Sequence, residues 1–237
     1  MTLSEPELGA IIAALCRATA LAMTAPVISE APVRARLVFV LAIAFGVGFN
    51  RPGVTYAELP ATASLELAMG LITGMTARFV MARVAIAGQL VGLSLGLGFA
   101  SQYDIHSGES AGTLRMIFTT LASLAFLAMG GLEEIVRSAS ASPSNVMDLA
   151  MIGPELVRQG TSAFGHGLAL AGPVVLAALI GNIGLAVLNR AAPAVNVFSI
   201  SLSAVLVLGG LVLIATSTNL IGGITDVARD AIAALTP

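Results

Sequence analysis

Seven apolar blocks leave this chain too few polar residues to build a water-facing surface. They run over residues 8–27, 37–49, 65–80, 84–100, 114–132, 164–188 and 195–220. Hydrophobic residues make up 57% of the chain and charged residues only 10%. A soluble domain carries about 25% charged residues, so lipid or protein must cover this one. The pattern therefore reads as an all-α integral membrane protein with about six to seven apolar helical segments. A helix crosses the bilayer core with about 20 apolar residues. The last two blocks meet that length. The second and third fall short, as half-inserted hairpins or helices buried in protein would. No linker-like stretch divides the chain, so residues 1–237 read as one membrane-embedded domain.

Composition excludes several function classes. The net charge is −2 and there is no basic run, which argues against nucleic acid as a partner. All eleven basic residues are arginine, so a nucleotide-binding loop of the Walker type has no lysine to use. Cys16 stands alone and can form neither an internal disulfide nor a cysteine metal cluster. His106 and His166 have no neighbours at metal-ligand spacing. The expectation is no metal, no cofactor and no enzyme. Trp is absent and Tyr occurs twice, so aromatic belts are thin and much of the surface is expected to face protein. Glu5 and Glu7 precede the first block without a positive segment, unlike a cleaved signal peptide.

The arginines suggest an orientation. With seven crossings and an external N-terminus, Arg34, Arg36, Arg78, Arg83, Arg137, Arg158 and Arg229 fall inside, while Arg51 and Arg190 fall outside. Ionisable residues within apolar blocks are few. Arg17 sits near the middle of the first block, where an arginine costs about 2.5–3.5 kcal/mol on insertion scales. Positions three and four residues away hold Ala13, Ala14, Ala20 and Leu21, so its partner comes from another segment or another chain, or else the helix is not in lipid. Glu66, Arg78 and Arg83 flank or enter short blocks, where capping or snorkelling accounts for them about as well as a functional role does. Gly88, Gly92 and Gly96 are spaced by four and share one helical face, and Gly98 follows them. Such a face lets another backbone approach closely, within the chain or between subunits. Gly70 and Gly74 repeat the spacing.

Four stretches resemble the FliR family, the flagellar type III export-gate proteins whose injectisome relatives are called SctT. Residues 15–30, with Arg17, Pro26 and Glu30, look like the family's opening helix and its Ala-Pro turn. The basic step Pro32-Val33-Arg34-Ala35-Arg36 follows. Residues 87–104 look like the central helix running into its loop. Residues 188–198, with Arg190, Pro193 and Asn196, look like the C-terminal corner. The resemblance implies helical hairpins assembled into an export-gate spiral in the bacterial inner membrane, within the flagellar basal body. It implies FliP-type, FliQ-type and FlhB-type partners, membrane lipid around them, and unfolded flagellar proteins as cargo. It also implies that the loop Tyr103, Asp104, Ile105, His106, Ser107, Gly108 and Glu109 plugs the channel. The family often has Asp-Pro where this chain has Asp104-Ile105. An injectisome gate subunit is the near alternative. A small secondary transporter is the distant one, with Arg17 and Glu66 as its only candidate site residues.

Overall fold

The structure, a computed structural model, describes residues 4–97, 112–140, 149–191 and 197–235. Among the described residues there are eight helices and no strand. They are α1 (Glu5–Thr24), α2 (Val33–Gly48), α3 (Leu59–Ser94), α4 (Thr113–Ala128), α5 (Gly131–Ser140), α6 (Leu149–Ala191), α7 (Val197–Ala215) and α8 (Ser217–Ala233).

Local chemistry sets many of these boundaries. The Glu7 carboxylate accepts the Ser4 N–H at 2.8 Å, and Glu5 and Glu7 complement the positive end of α1. Pro26 pushes Ala25 into an extended conformation (φ −63°, ψ 139°), which stops α1. The chain then reverses sharply: Val27 takes φ 68° and the Ile28 N–H donates to the Pro26 carbonyl at 2.8 Å. A β-branched residue there is strained, and the surrounding packing must hold it.

Two expectations from the sequence need correction. The third and fourth apolar blocks are one helix, because Met81-Ala82-Arg83-Val84 contains no proline or glycine to stop it. Arg78 and Arg83 therefore lie within α3 rather than in an inside loop, and Arg83 is buried. The seven-crossing orientation loses its premise. Past the fifth block come α5 and α6, and α6 begins at Leu149 and runs directly into the sixth block as a 43-residue helix.

Among the described residues three helical stretches are long and apolar enough to cross a membrane: Glu5–Thr24, Leu59–Ser94 and Leu156–Ala191. Two bent pairs would raise the number to five if each is one span. One pair is Thr113–Ala128 with Gly131–Ser140, bent by 64°, and the other Ser203–Ala215 with Ser217–Ala233, bent by 65°. Gly130, at φ 83°, makes the first bend with a backbone conformation that suits glycine.

The chain forms two compact units. One comprises Met1–Met81, Ser123–Thr161 and Ala228–Pro237; the other comprises Ala82–Ala122 and Ser162–Val227. Alanine dominates the core of the first, with Ala10, Ala13, Ala14, Ala18 and Ala77 buried around Leu21, Phe126 and Ile135. Small side chains bring helix axes close. A Cβ on Gly70 would lie 2.6 Å from the Arg17 carbonyl oxygen, and one on Gly48 would lie 2.8 Å from the Ile11 Cα. The second unit packs α3 against α4 and α6. There a Cβ on Gly167 would lie 2.9 Å from the Arg83 carbonyl oxygen.

Candidate functional site: a buried arginine–glutamate cluster

Within the first unit, three charged side chains from distant parts of the sequence meet. Arg17 comes from α1, Arg51 from the turn after α2, and Glu66 from the start of α3. The small residues flanking Arg17 on α1, together with Gly70 on α3, allow the two helices to lie close enough for the contact. Arg17 Nε is 2.5 Å from Glu66 Oε2, and Arg51 Nη1 donates to Glu66 Oε1 at 2.6 Å. Both carboxylate oxygens are thus engaged, each by a different arginine. Arg17 is 3% exposed and Glu66 1% exposed.

Among the described residues the two cations meet one carboxylate, and carbonyls at the end of α5 accept further guanidinium N–H groups. Arg51 Nη2 donates to the Ala139 carbonyl at 2.9 Å, and Arg17 Nη1 reaches the Ser138 carbonyl at 3.4 Å. These carbonyls belong to the last turn of α5, the negative end of its dipole. Arg17 Nη2 also lies 3.3 Å from the Met69 sulfur. The cluster joins α1, the α2–α3 turn, α3 and α5. Chemically it is a tie. Arginine keeps its proton in proteins, and both oxygens of the carboxylate are already taken up by guanidinium groups.

Arg17 therefore finds its partner within the chain. The sequence pointed to a partner elsewhere but did not name Glu66, and Arg51 was placed in an outside loop without a role. One signal was available: of the thirteen acidic residues, Glu66 is the only one inside an apolar block. A buried arginine needs a carboxylate, and only that block supplies one.

The glycine ladder resolves into three different positions. At Gly88 a Cβ would lie 2.9 Å from Arg115 Cα and from Phe118 Cβ, so α3 and α4 touch there. At Gly92 the nearest atom is Leu114 Cβ at 3.8 Å, an ordinary contact. Gly96 is not on the helical face, which corrects the sequence reading. α3 ends at Ser94, and Gly96 takes φ 76° past it. The Leu97 N–H donates to the Gly92 carbonyl at 3.0 Å and the Gly96 N–H to that of Leu93 at 3.1 Å, the pattern of a glycine-capped helix end. Gly88→Ala is expected to cost about 1–3 kcal/mol through overpacking. Gly92→Ala is expected to be neutral or stabilising by up to about 1 kcal/mol, because alanine favours the helix. Thermal unfolding of both variants in detergent checks the contrast.

Residues Gly92-Leu93-Ser94-Leu95-Gly96 also have the spacing of a hydrolase nucleophile elbow. That motif needs a strand-to-helix turn. Ser94 instead closes a helix, and its hydroxyl donates to the Val91 carbonyl at 2.9 Å. Arg190 is exposed in the last turn of α6, where a cation complements the helix end. Gly98, the segment Tyr103, Asp104, Ile105, His106, Ser107, Gly108 and Glu109, and the corner residues Pro193 and Asn196 lie outside the described residues. Among the described residues, no three His, Cys, Asp or Glu side chains gather as a metal site would require.

The sequence matches the model of the family described as bacterial export proteins, family 1, over residues 8–231. The chain belongs to this family. Its curated relatives include flagellar biosynthetic protein FliR of Escherichia coli K12, 30% identical over 211 residues, covering 82% of this chain and 79% of the relative. FliR of Aquifex aeolicus is 32% identical over 165 residues, covering 68% of this chain and 64% of the relative. FliR of Caulobacter vibrioides is 29% identical over 223 residues, covering 86% of each. The family match runs from α1 into α8 and so includes all three members of the charge cluster.

Proposed function

We propose that this chain is a non-enzymatic subunit of the flagellar type III protein export gate, helping to form and close the channel through which unfolded flagellar subunits leave. The observation that carries this reading is the family match over residues 8–231. The flagellar names of the relatives favour flagellar over injectisome use. The helices support a membrane location, proposed as multi-pass in the inner membrane at the flagellar basal body. The chain acts as one export-gate domain beside FliP-type, FliQ-type and FlhB-type subunits. Its hairpins join their spiral, and the polar segment 103–109 obstructs the channel at rest.

In this reading the buried cluster serves gating indirectly. A gate subunit must keep its shape while neighbouring helices move. A charge tie that joins four chain segments resists their separation, because pulling any one away leaves a buried charge uncompensated. Transport energy comes from partners and the proton gradient.

The test is a pull-down of the tagged protein from its native membrane in mild detergent, read by native mass spectrometry. One copy of this chain with several copies of two small hydrophobic subunits is the expected result. A monomer or homodimer that never recruits partners would overturn the reading and favour a transporter.

A further inference from the structure

The outer side of α2 carries an apolar stripe, and its first turn holds two arginines that meet no carboxylate among the described residues. Val33, Leu37, Leu41, Phe45 and Phe49 recur every four residues, and each is between 48% and 63% exposed. At the first turn, Arg34 is exposed on the face of Leu37, Val38 and Leu41. Arg36 is half-buried in the same turn, and its Nε is a buried atom without a hydrogen-bond partner. Among the described residues neither arginine meets a carboxylate, and the nearby Glu30 is exposed and pairs with neither. Arg17, Arg51 and Arg137, by contrast, all have carboxylate partners in the chain. The first turn of α2 holds no acidic residue, and Pro32 offers no side-chain cap. Two cations at the positive end of a helix reverse the usual preference, so this end lacks a negative charge.

The occupant must supply an anion at one end and hydrocarbon along the rest. From Leu37 to Phe49 no side chain can form a hydrogen bond. A protein interface typically carries a hydrogen bond per 100–200 Å², roughly, and this stripe offers none. α2 has 16 residues and is roughly 24 Å long, shorter than the hydrocarbon core of about 30 Å. We propose that the outer face of α2 seats an anionic phospholipid, its phosphate on Arg34 and Arg36 and its acyl chains along Val33, Leu37, Leu41 and Phe45. This stands apart from the export-gate reading, since it needs only the membrane and this helix.

Native mass spectrometry of the full chain with dioleoylphosphatidylglycerol and dioleoylphosphatidylcholine tests it, because the two lipids share their acyl chains. Phosphatidylglycerol should be retained on the order of tenfold better, given the known attraction of basic residues near anionic headgroups. In the double variant Arg34→Gln, Arg36→Gln the preference should fall to near parity with an unchanged melting temperature. Arg137→Gln, whose guanidinium already meets Glu133, should keep the preference. Equal retention of both lipids by the parent protein, or an intact preference in the double variant, would overturn the proposal. So would removal of the lipid by free glycerol phosphate, which would mark a site for soluble anions. Cross-links from α2 into another subunit, in a complex carrying no lipid there, would replace the lipid with a protein partner.

Discussion

Glu66→Gln should unfold or strongly destabilise the protein, by about 3–5 kcal/mol, because it removes the carboxylate charge that two buried guanidinium groups share. The amide is nearly isosteric, so little of the loss would come from packing. Arg17 Nε and Arg51 Nη1 now meet opposite oxygens of one carboxylate at 2.5 and 2.6 Å. In the variant one of them faces an amide N–H instead. Thermal unfolding in detergent and the protein level in native membranes both read the effect, and motility of the cells reports the functional consequence. Replacing the whole set (Arg17→Met, Arg51→Met, Glu66→Met) should recover part of the stability, since no buried charge then remains. Recovery would be incomplete, because the Ser138 and Ala139 carbonyls lose their donors. Hydrogen exchange at α5 should rise in that variant. An unchanged melting temperature in Glu66→Gln would mean that water, not the carboxylate, compensates the arginines.

Gly70→Val is expected to have the second largest effect. Its Cβ would lie 2.6 Å from the Arg17 carbonyl oxygen and 2.8 Å from the Ala20 Cβ. Neither atom can rotate away, so α1 and α3 must separate. Overpacking costs about 1–3 kcal/mol on its own. Here it also moves Arg17 away from Glu66, so the loss should reach the upper end of that range or beyond. Gly70→Ala should fall between the parent and Gly70→Val. Gly46→Ala, at a position with nothing within 4 Å of the added atom, is the control and should leave the melting temperature intact. Equal behaviour of Gly70→Val and Gly46→Ala would show that α1 and α3 are not tightly apposed.

Much of this is legible in the sequence. The scarcity of charge in the apolar blocks calls for a cover of lipid or protein, and their continuous apolar runs suit helices rather than the alternating strands of a barrel. The need of Arg17 for a partner in another segment followed from the apolar neighbours on its own helix. Other features were not visible. Whether residues 81–84 continue a helix or turn depends on small propensity differences that block boundaries cannot resolve, and the apolar pattern read them as a break. The spacing of Gly88, Gly92 and Gly96 implied a shared face, but a helix that ends at Ser94 takes Gly96 off it. Spacing predicts a face only while the helix lasts.

Residue types and their order, by themselves, determined the membrane class, the helical fold and the family resemblance, because each depends on local composition and pattern. Only the tertiary structure decided that Arg17, Arg51 and Glu66 meet at the end of α5, and that Arg34 and Arg36 meet no carboxylate among the described residues. Ion pairing is settled by distances of a few ångströms between side chains far apart in sequence. Helix packing sets those distances, and no single segment encodes them.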